Sequence, residues 1–151
     1  MTDLANAFPS LIFERPEDGI LVITMQAEGR LNAADAAMHR DLADVWRAVD
    51  SDTETRVVII RGAGGTFSAG GDFDLIEEMA ADFAVRARVL REARDMVYNV
   101  INCGKPVVSA MDGVAVGAGL VVGLLADISI AGRYARLIDG HTQIKIGRAH
   151  V

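Results

Sequence analysis

Cysteine is nearly missing. Cys103 stands alone in 151 residues, so no intrachain disulfide and no thiolate metal cluster can form, and it reads as a small packed residue. Lysine is almost as scarce, with Lys105 and Lys145 the only two beside an otherwise all-arginine cationic set. Acidic residues outnumber basic ones, 21 to 15, for a formal net charge of -6, the opposite of the basic footprint of a nucleic-acid binder. The opening Met1-Thr2-Asp3-Leu4 lacks the basic start and apolar run of a secretory signal, which makes the cytoplasm the expected location. Val114 to Ala126 carries no charge and shows G-x-x-x-G spacing at Gly113/Gly117 and Gly119/Gly123. Asp112 and Asp127 bracket it well short of the roughly 20 apolar residues that a membrane span needs. A buried helix entered through a glycine turn is the better reading. Also missing are the G-x-x-x-x-G-K-[ST] phosphate loop and the H-E-x-x-H zinc motif, and no metal site is expected. Ser68 lies in Gly65-Thr66-Phe67-Ser68-Ala69-Gly70, one residue too long for the elbow of a hydrolase serine.

What is present is a hydrophobic content of 51%, enough for one packed core. Residues 11–14 and 19–25 read as a strand pair around the Pro16 turn. After Leu31-Asn32-Ala33 an amphipathic helix runs to about Asp50, with Met38, Leu42, Val45, Trp46 and Val49 on its apolar face. His39, Arg40, Asp44 and Arg47 fall on the other side, where His39 is expected to be solvated. Val57 to Ile60 is a continuous apolar strand, and a glycine-rich loop over 61–72 leads to helices over 73–79 and 82–102. Phe83, Ala87, Leu90, Val97 and Ile101 are the expected buried stripe of the second. Gly104 stops that helix, Pro106 opens a strand over 107–111, a second glycine turn over 113–119 feeds a helix over 120–126, and 128–131 is another strand. A buried strand, a glycine loop and a helix thus recur twice, which predicts an α/β fold with parallel pairing.

The two glycine loops carry the candidate chemistry. Phe67-Ser68-Ala69-Gly70-Gly71-Asp72 sits where a strand ends and a helix begins, so its free N–H groups can meet an anionic atom and its small residues let a ligand approach the backbone. Gly113 to Gly119 has the same character. Through Gly123 it comes near the dinucleotide fingerprint without matching it, and Asp127 falls too early for that motif's acidic residue. Two amides brought together from separate loops can bind a developing oxyanion, lowering a barrier by about 3–4 kcal/mol per donor. A thioester carbonyl becoming an enolate is such a target.

Leu31-Asn32-Ala33, Phe67 to Asp72, Lys105-Pro106-Val107-Val108-Ser109-Ala110 and Gly113 to Gly119 through Asp127 resemble, in order and separation, the crotonase superfamily, that is, the enoyl-CoA hydratase/isomerase family. The resemblance covers nearly all the chain up to His141. It implies the spiral of repeated ββα units of the ClpP/crotonase fold, with residues 1–144 as the N-terminal part of one domain, ending before a C-terminal helical region that helps cover CoA and builds trimers. It also implies an acyl-CoA thioester substrate, no cofactor beyond the CoA moiety, no membrane or nucleic-acid partner, and a homotrimer or dimer of trimers for the full-length protein. The oxyanion amides implied are those of Gly71 and Ala118. Ala69, Asp72 and Phe73 would cradle the adenine end of CoA, with Leu31, Asn32 and Ala33 nearby, and Asp127 would be structural.

The chain departs from the hydratase pattern where a catalytic glutamate follows the glycine triplet, because Val121 stands there. The second glutamate position aligns near Asp139-Gly140-His141, where His141 can serve as the acid/base. That pattern resembles the β-diketone (C–C bond) hydrolases of the superfamily, while Val121 leaves room for a non-catalytic acyl-CoA-binding protein of the same fold. The last residues, Ile146-Gly147-Arg148-Ala149-His150-Val151, fit no element and match one reading frame of a common sequencing adapter. The expectation is that 145–151 is a read-through tail, so His150 carries no functional weight.

Overall fold

The computed structural model describes residues 3–139. Helix α1 (Leu4–Ala7), capped by the Asp3 carboxylate, leads into strands β1 (Leu11–Glu14) and β2 (Ile20–Met25), which pair antiparallel with Leu11 opposite Met25. From β2 onward the pairing is parallel: β2 with β3 (Val57–Gly62), β3 with β4 (Val107–Met111), and β4 with β6 (Ile128–Ala131). The order across the sheet is β1-β2-β3-β4-β6. Parallel neighbours need a crossover, and each one here carries helix. Helix α2 (Ala36–Ser51) joins β2 to β3, α3 (Phe73–Ala81) and α4 (Phe83–Ile101) join β3 to β4, and α5 (Gly117–Leu125) lies between β4 and β6. A separate parallel pair is formed by β5 (Val114–Val116) and β7 (Arg136–Ile138).

Alternation decides which sheet face is buried. Leu21, Ile23 and Met25 of β2 and Val58 and Ile60 of β3 point to one face and are completely buried. They meet the apolar stripe of α2, whose Leu42, Val45, Trp46 and Val49 are equally covered, and the Trp46 indole N–H donates to the Leu42 carbonyl at 2.8 Å. Asp35 starts α2 by accepting the amides of Ala37 and Met38 at 3.1 and 3.0 Å. At the other end Lys105 Nζ donates to the carbonyls of Val49, at 2.6 Å, and Asp52, so the cation sits where the helix dipole favours it. Asp127 is structural, its carboxylate accepting the Val107 amide at 2.8 Å where β4 begins.

Three expectations are corrected. His39 is 4% exposed rather than solvated, because α4 lies across that side of α2. There Nδ1 pairs with Glu92 Oε2 at 2.9 Å, and Glu92 Oε1 accepts from Arg88 at 3.0 Å. For the same reason the buried stripe of α4 is Val89, Met96, Asn99 and Val100, while Phe83, Leu90 and Ile101 are exposed, Phe83 at 76%. The packed face contains polar Glu92 and Asn99, whose partners sit on α2 (the Asn99 amide donates to the Ala43 carbonyl at 2.7 Å), so an apolar count along the sequence selects the wrong side. The second glycine segment is not all turn: Val114–Val116 is strand β5 and α5 begins at Gly117, three residues early. Neither α1 nor β7 is visible in the hydrophobic pattern.

Candidate functional site

The loop after β3 is clamped from both sides. Ser68 pairs with β5, its amide donating to the Val114 carbonyl at 3.0 Å and its carbonyl accepting from Val116 at 2.9 Å. On the opposite flank the Ala69 amide donates to Leu31 O at 2.9 Å, the Ala34 amide donates to Gly70 O at 2.7 Å, and the Asp72 amide donates to Ala34 O at 2.9 Å. The Gly70 amide reaches Ser68 Oγ at 3.2 Å. Of the amides from Ser68 to Asp72, Gly71 alone has no protein partner among the described residues. Its direction follows from the peptide plane. The Gly70–Gly71 peptide is trans, as are all peptides among the described residues, and the Gly70 carbonyl of that plane is turned to Ala34, so the Gly71 N–H points away from Ala34.

Leu31 and Asn32 set the flank by holding left-handed φ values of 51° and 57°, uncommon outside glycine. Asn32 supports this with a buried amide fully used: Oδ1 accepts from Ala27 N at 3.0 Å, and Nδ2 donates to the carbonyls of Ala63 and Thr66 at 2.9 and 2.7 Å. Its side chain therefore shapes the loop, and Leu31, 61% exposed, faces solvent. Ala33 is buried behind them.

Helix α5 meets this loop end-on. A Cβ on Gly70 would lie 3.2 Å from the Val116 carbonyl oxygen, and one on Gly117 would lie 3.7 Å from Gly70 Cα, so the two backbones are in contact there. Gly117 adopts φ +51°, turning the chain from β5 straight into the helix. One residue past each contact point come Gly71 and Ala118. The first amides of a helix lack intrahelical acceptors and point out of its start, and Val116 supplies no side-chain cap. Gly119 is seated directly on Ser68, leaving no room for a Cβ, while Ser68 Oγ donates to Asn32 O at 2.8 Å. Val121 follows Ala118 by three residues, on the same side of the helix, and is half-buried.

Beside this junction Arg30 bridges two helix starts. Its guanidinium donates to Asp72 at 2.7 Å and Asp35 at 3.1 Å, the N-caps of α3 and α2. The Asp72 hydrogen bond, then that of Asp35, raises the Arg30 pKa. Burial alone would raise the Asp35 carboxyl, but the Met38 amide and Arg30 outweigh it and hold it below its ordinary value. A cleft of about 310 Å³ opens here, lined by Arg30, Asp35, Asp72, Asp74, Leu75 and Glu78 among others. Phe73 is 77% exposed at the start of α3. A depression of about 520 Å³ lies against Ile12, Thr24 and Arg61 and includes none of the nominated residues.

Gly71 and Ala118 are thus at one junction, with Ala69 and Asp72 adjoining it. Leu31, Asn32 and Ala33 form its flank. His141 lies outside the described residues, as does 145–151. Sequence reasoning missed Arg30, Asp35 and the pivotal use of Ser68. An aspartate directly before an apolar-periodic run is a helix-start signal, and Asp35 could have been found that way.

A mostly parallel sheet with helical crossovers, and two glycine junctions converging on one backbone contact, define a crotonase-type α/β protein. The Enoyl-CoA hydratase/isomerase family profile matches residues 15–150, and the chain belongs to that family. It is 33% identical over 133 residues to a probable peroxisomal enoyl-CoA hydratase 1 of Arabidopsis thaliana, covering 88% of this chain and 48% of that protein. It is 32% identical over 135 residues to the 1,2-epoxyphenylacetyl-CoA isomerase of Escherichia coli, covering 88% and 52%. A crystal structure of an enoyl-CoA hydratase/isomerase from Mycobacterium paratuberculosis superposes with a TM-score of 0.85 at 36% identity, covering 89% of this chain and 54% of that one. The chain spans about half the length of these relatives. Among the described residues no helix is long and apolar enough to cross a membrane.

Proposed function

We propose that this chain supplies the amide side of an acyl-CoA site, in which Gly71 and Ala118 hold the thioester oxygen as it becomes an enolate. The observation that carries the reading is the Gly71 amide, unpartnered among the described residues and turned away from Ala34, one residue past the contact of Gly70 with Gly117. A donor left without a partner between bonded neighbours, the amides of Ser68, Ala69, Gly70 and Asp72, is matched to a charge that appears only during reaction, and costs no reorganisation when it does. The family membership and the CoA-ester names of the relatives supply the substrate class. Proton transfer needs a further group. Val121 has no ionisable atom, so the glutamate-pair route of hydration is closed at that position, and His141 is the nominated carrier.

The test is Ala118→Pro. Proline removes the N–H at a helical first turn, where it is tolerated. With a short enoyl-CoA, we expect kcat to fall by about 10²–10³-fold with thioester affinity retained. Unchanged turnover sinks the cradle. Hydration at rates matching glutamate-bearing relatives contradicts the role given to Val121. Val121 also favours a second reading, an acyl-CoA-binding module, which calorimetric titration separates: binding with no turnover of any thioester identifies it.

A further inference from the structure

We infer that Ser109 and Ser129 are positioning residues that set the aim of the Ala118 amide by holding the far end of α5, an inference that rests on the amide cradle proposed above. Ser109 on β4 and Ser129 on β6 are register partners in the parallel pair. Both hydroxyls donate to one acceptor, the Gly123 carbonyl, at 2.6 and 2.8 Å. That carbonyl belongs to the last turn of α5, where no intrahelical donor remains. Such groups ordinarily turn to water, but Gly123 is buried, and two hydroxyls from adjacent strands occupy its two lone pairs instead.

Directionality is what these bonds add. Val122 at the middle of α5 is buried in the core, with Leu120 and Leu125 packed against the same cluster; apolar burial is non-directional, whereas a hydrogen bond adds a preferred direction. At Gly123 the helix rests on Met111 and Phe67, where a Cβ would fall 2.6 Å from the Met111 sulfur. With no side chain to key it there, the carbonyl is the handle. Five residues separate Gly123 from Ala118, roughly 7.5 Å of helix at 1.5 Å per residue, short enough to move as one rod. A slip at the serine end is therefore delivered to the amide end. Ser109 is completely buried beneath the helix, and among the described residues its hydroxyl bonds to the far end of α5 alone, so the influence of that hydroxyl passes through α5.

The test uses a conjugated cinnamoyl-CoA thioester, whose absorption moves to the red when its carbonyl accepts hydrogen bonds, together with turnover of a short enoyl-CoA. In Ser109→Ala/Ser129→Ala we expect thioester affinity little changed, a smaller red shift per bound ligand, and kcat lower by about tenfold, as sub-ångström misplacement predicts. Restoring one hydroxyl in Ser109→Ala/Ser129→Thr is expected to return most of the shift. Where the double variant does not fold, Ser129→Ala alone, at an exposed position, is expected to show the same direction at smaller size. A wild-type red shift that stays whole in a folded variant lacking a hydroxyl, with kcat unchanged, overturns the positioning role alone. Absence of any red shift in the wild type overturns the cradle and this inference with it.

Discussion

Gly119→Ala pits two opposite effects against each other. Replacing a helical glycine by alanine gains up to about 1 kcal/mol of propensity. The new Cβ, however, would fall 2.3 Å from Ser68 Cβ and 2.5 Å from its Oγ. Carbon atoms in contact sit about 3.5–4.0 Å apart, so at least about 1.2 Å must open between α5 and the loop. Overpacking of this kind costs about 1–3 kcal/mol and wins over the propensity gain. We therefore expect a net loss of about 1 kcal/mol in urea unfolding. The displacement also carries Ala118 away from Gly71, which is expected to lower kcat by about 10²-fold with a lesser effect on KM. Ser68→Gly, introduced second, removes the obstructing carbon, so the pair should be less damaged than the sum of its singles. A Gly119→Ala protein more stable than wild type and fully active would refute the seating of α5 on Ser68.

Three other perturbations read the supports of the fold. Asn32→Ala strips hydrogen bonds from Ala27, Ala63 and Thr66 and leaves a left-handed residue without a side chain suited to it; a loss of about 2–4 kcal/mol is expected in equilibrium unfolding, and a loss under 1 kcal/mol would contradict the clip. Glu92→Leu leaves His39 and Arg88 without their shared partner between α2 and α4, and is expected to cost about 2–4 kcal/mol, checked by the midpoint of chemical denaturation. Burial would raise the Asp52 carboxyl, but the Thr55 hydroxyl, Arg15 and the Glu54 amide outweigh it and bring it down to about 2. The depressed value means that the carboxylate stabilises the fold above its unfolded pKa of 3.8, and that this contribution is lost as pH falls from about 4 to 2. Asp52→Asn should therefore flatten the stability–pH slope in that window and leave the slope at neutral pH alone.

The sheet was legible because its strands are short apolar runs closed by glycine or proline, signals that do not depend on what packs against them. Residues 107–111 and 128–131 were found to the residue for that reason. The outer face of α4 was misread because burial there is decided by α2: a half-buried Glu92 and a buried Asn99 look polar in one dimension and are matched only in three. The same holds for His39. Of the candidate site, the glycine loops were visible as composition, but their convergence was not, since the bridges joining Ser68 to Ala115 and Ala34 to Gly71 link positions far apart in the chain. Strand β5 was hidden inside its own glycine turn, where three residues give too little pattern to distinguish an extended segment from a loop.

Arg30 has a consequence that reaches beyond its own ion pairs. Because a single cation serves the first turns of α2 and α3 together, it offsets the repulsion between the carboxylates of Asp35 and Asp72. Exchange of the arginine for a neutral side chain would set two like charges against each other and loosen both helix starts in one stroke. Loss of any one of the three side chains takes away part of the strap that draws the two helices to the same edge.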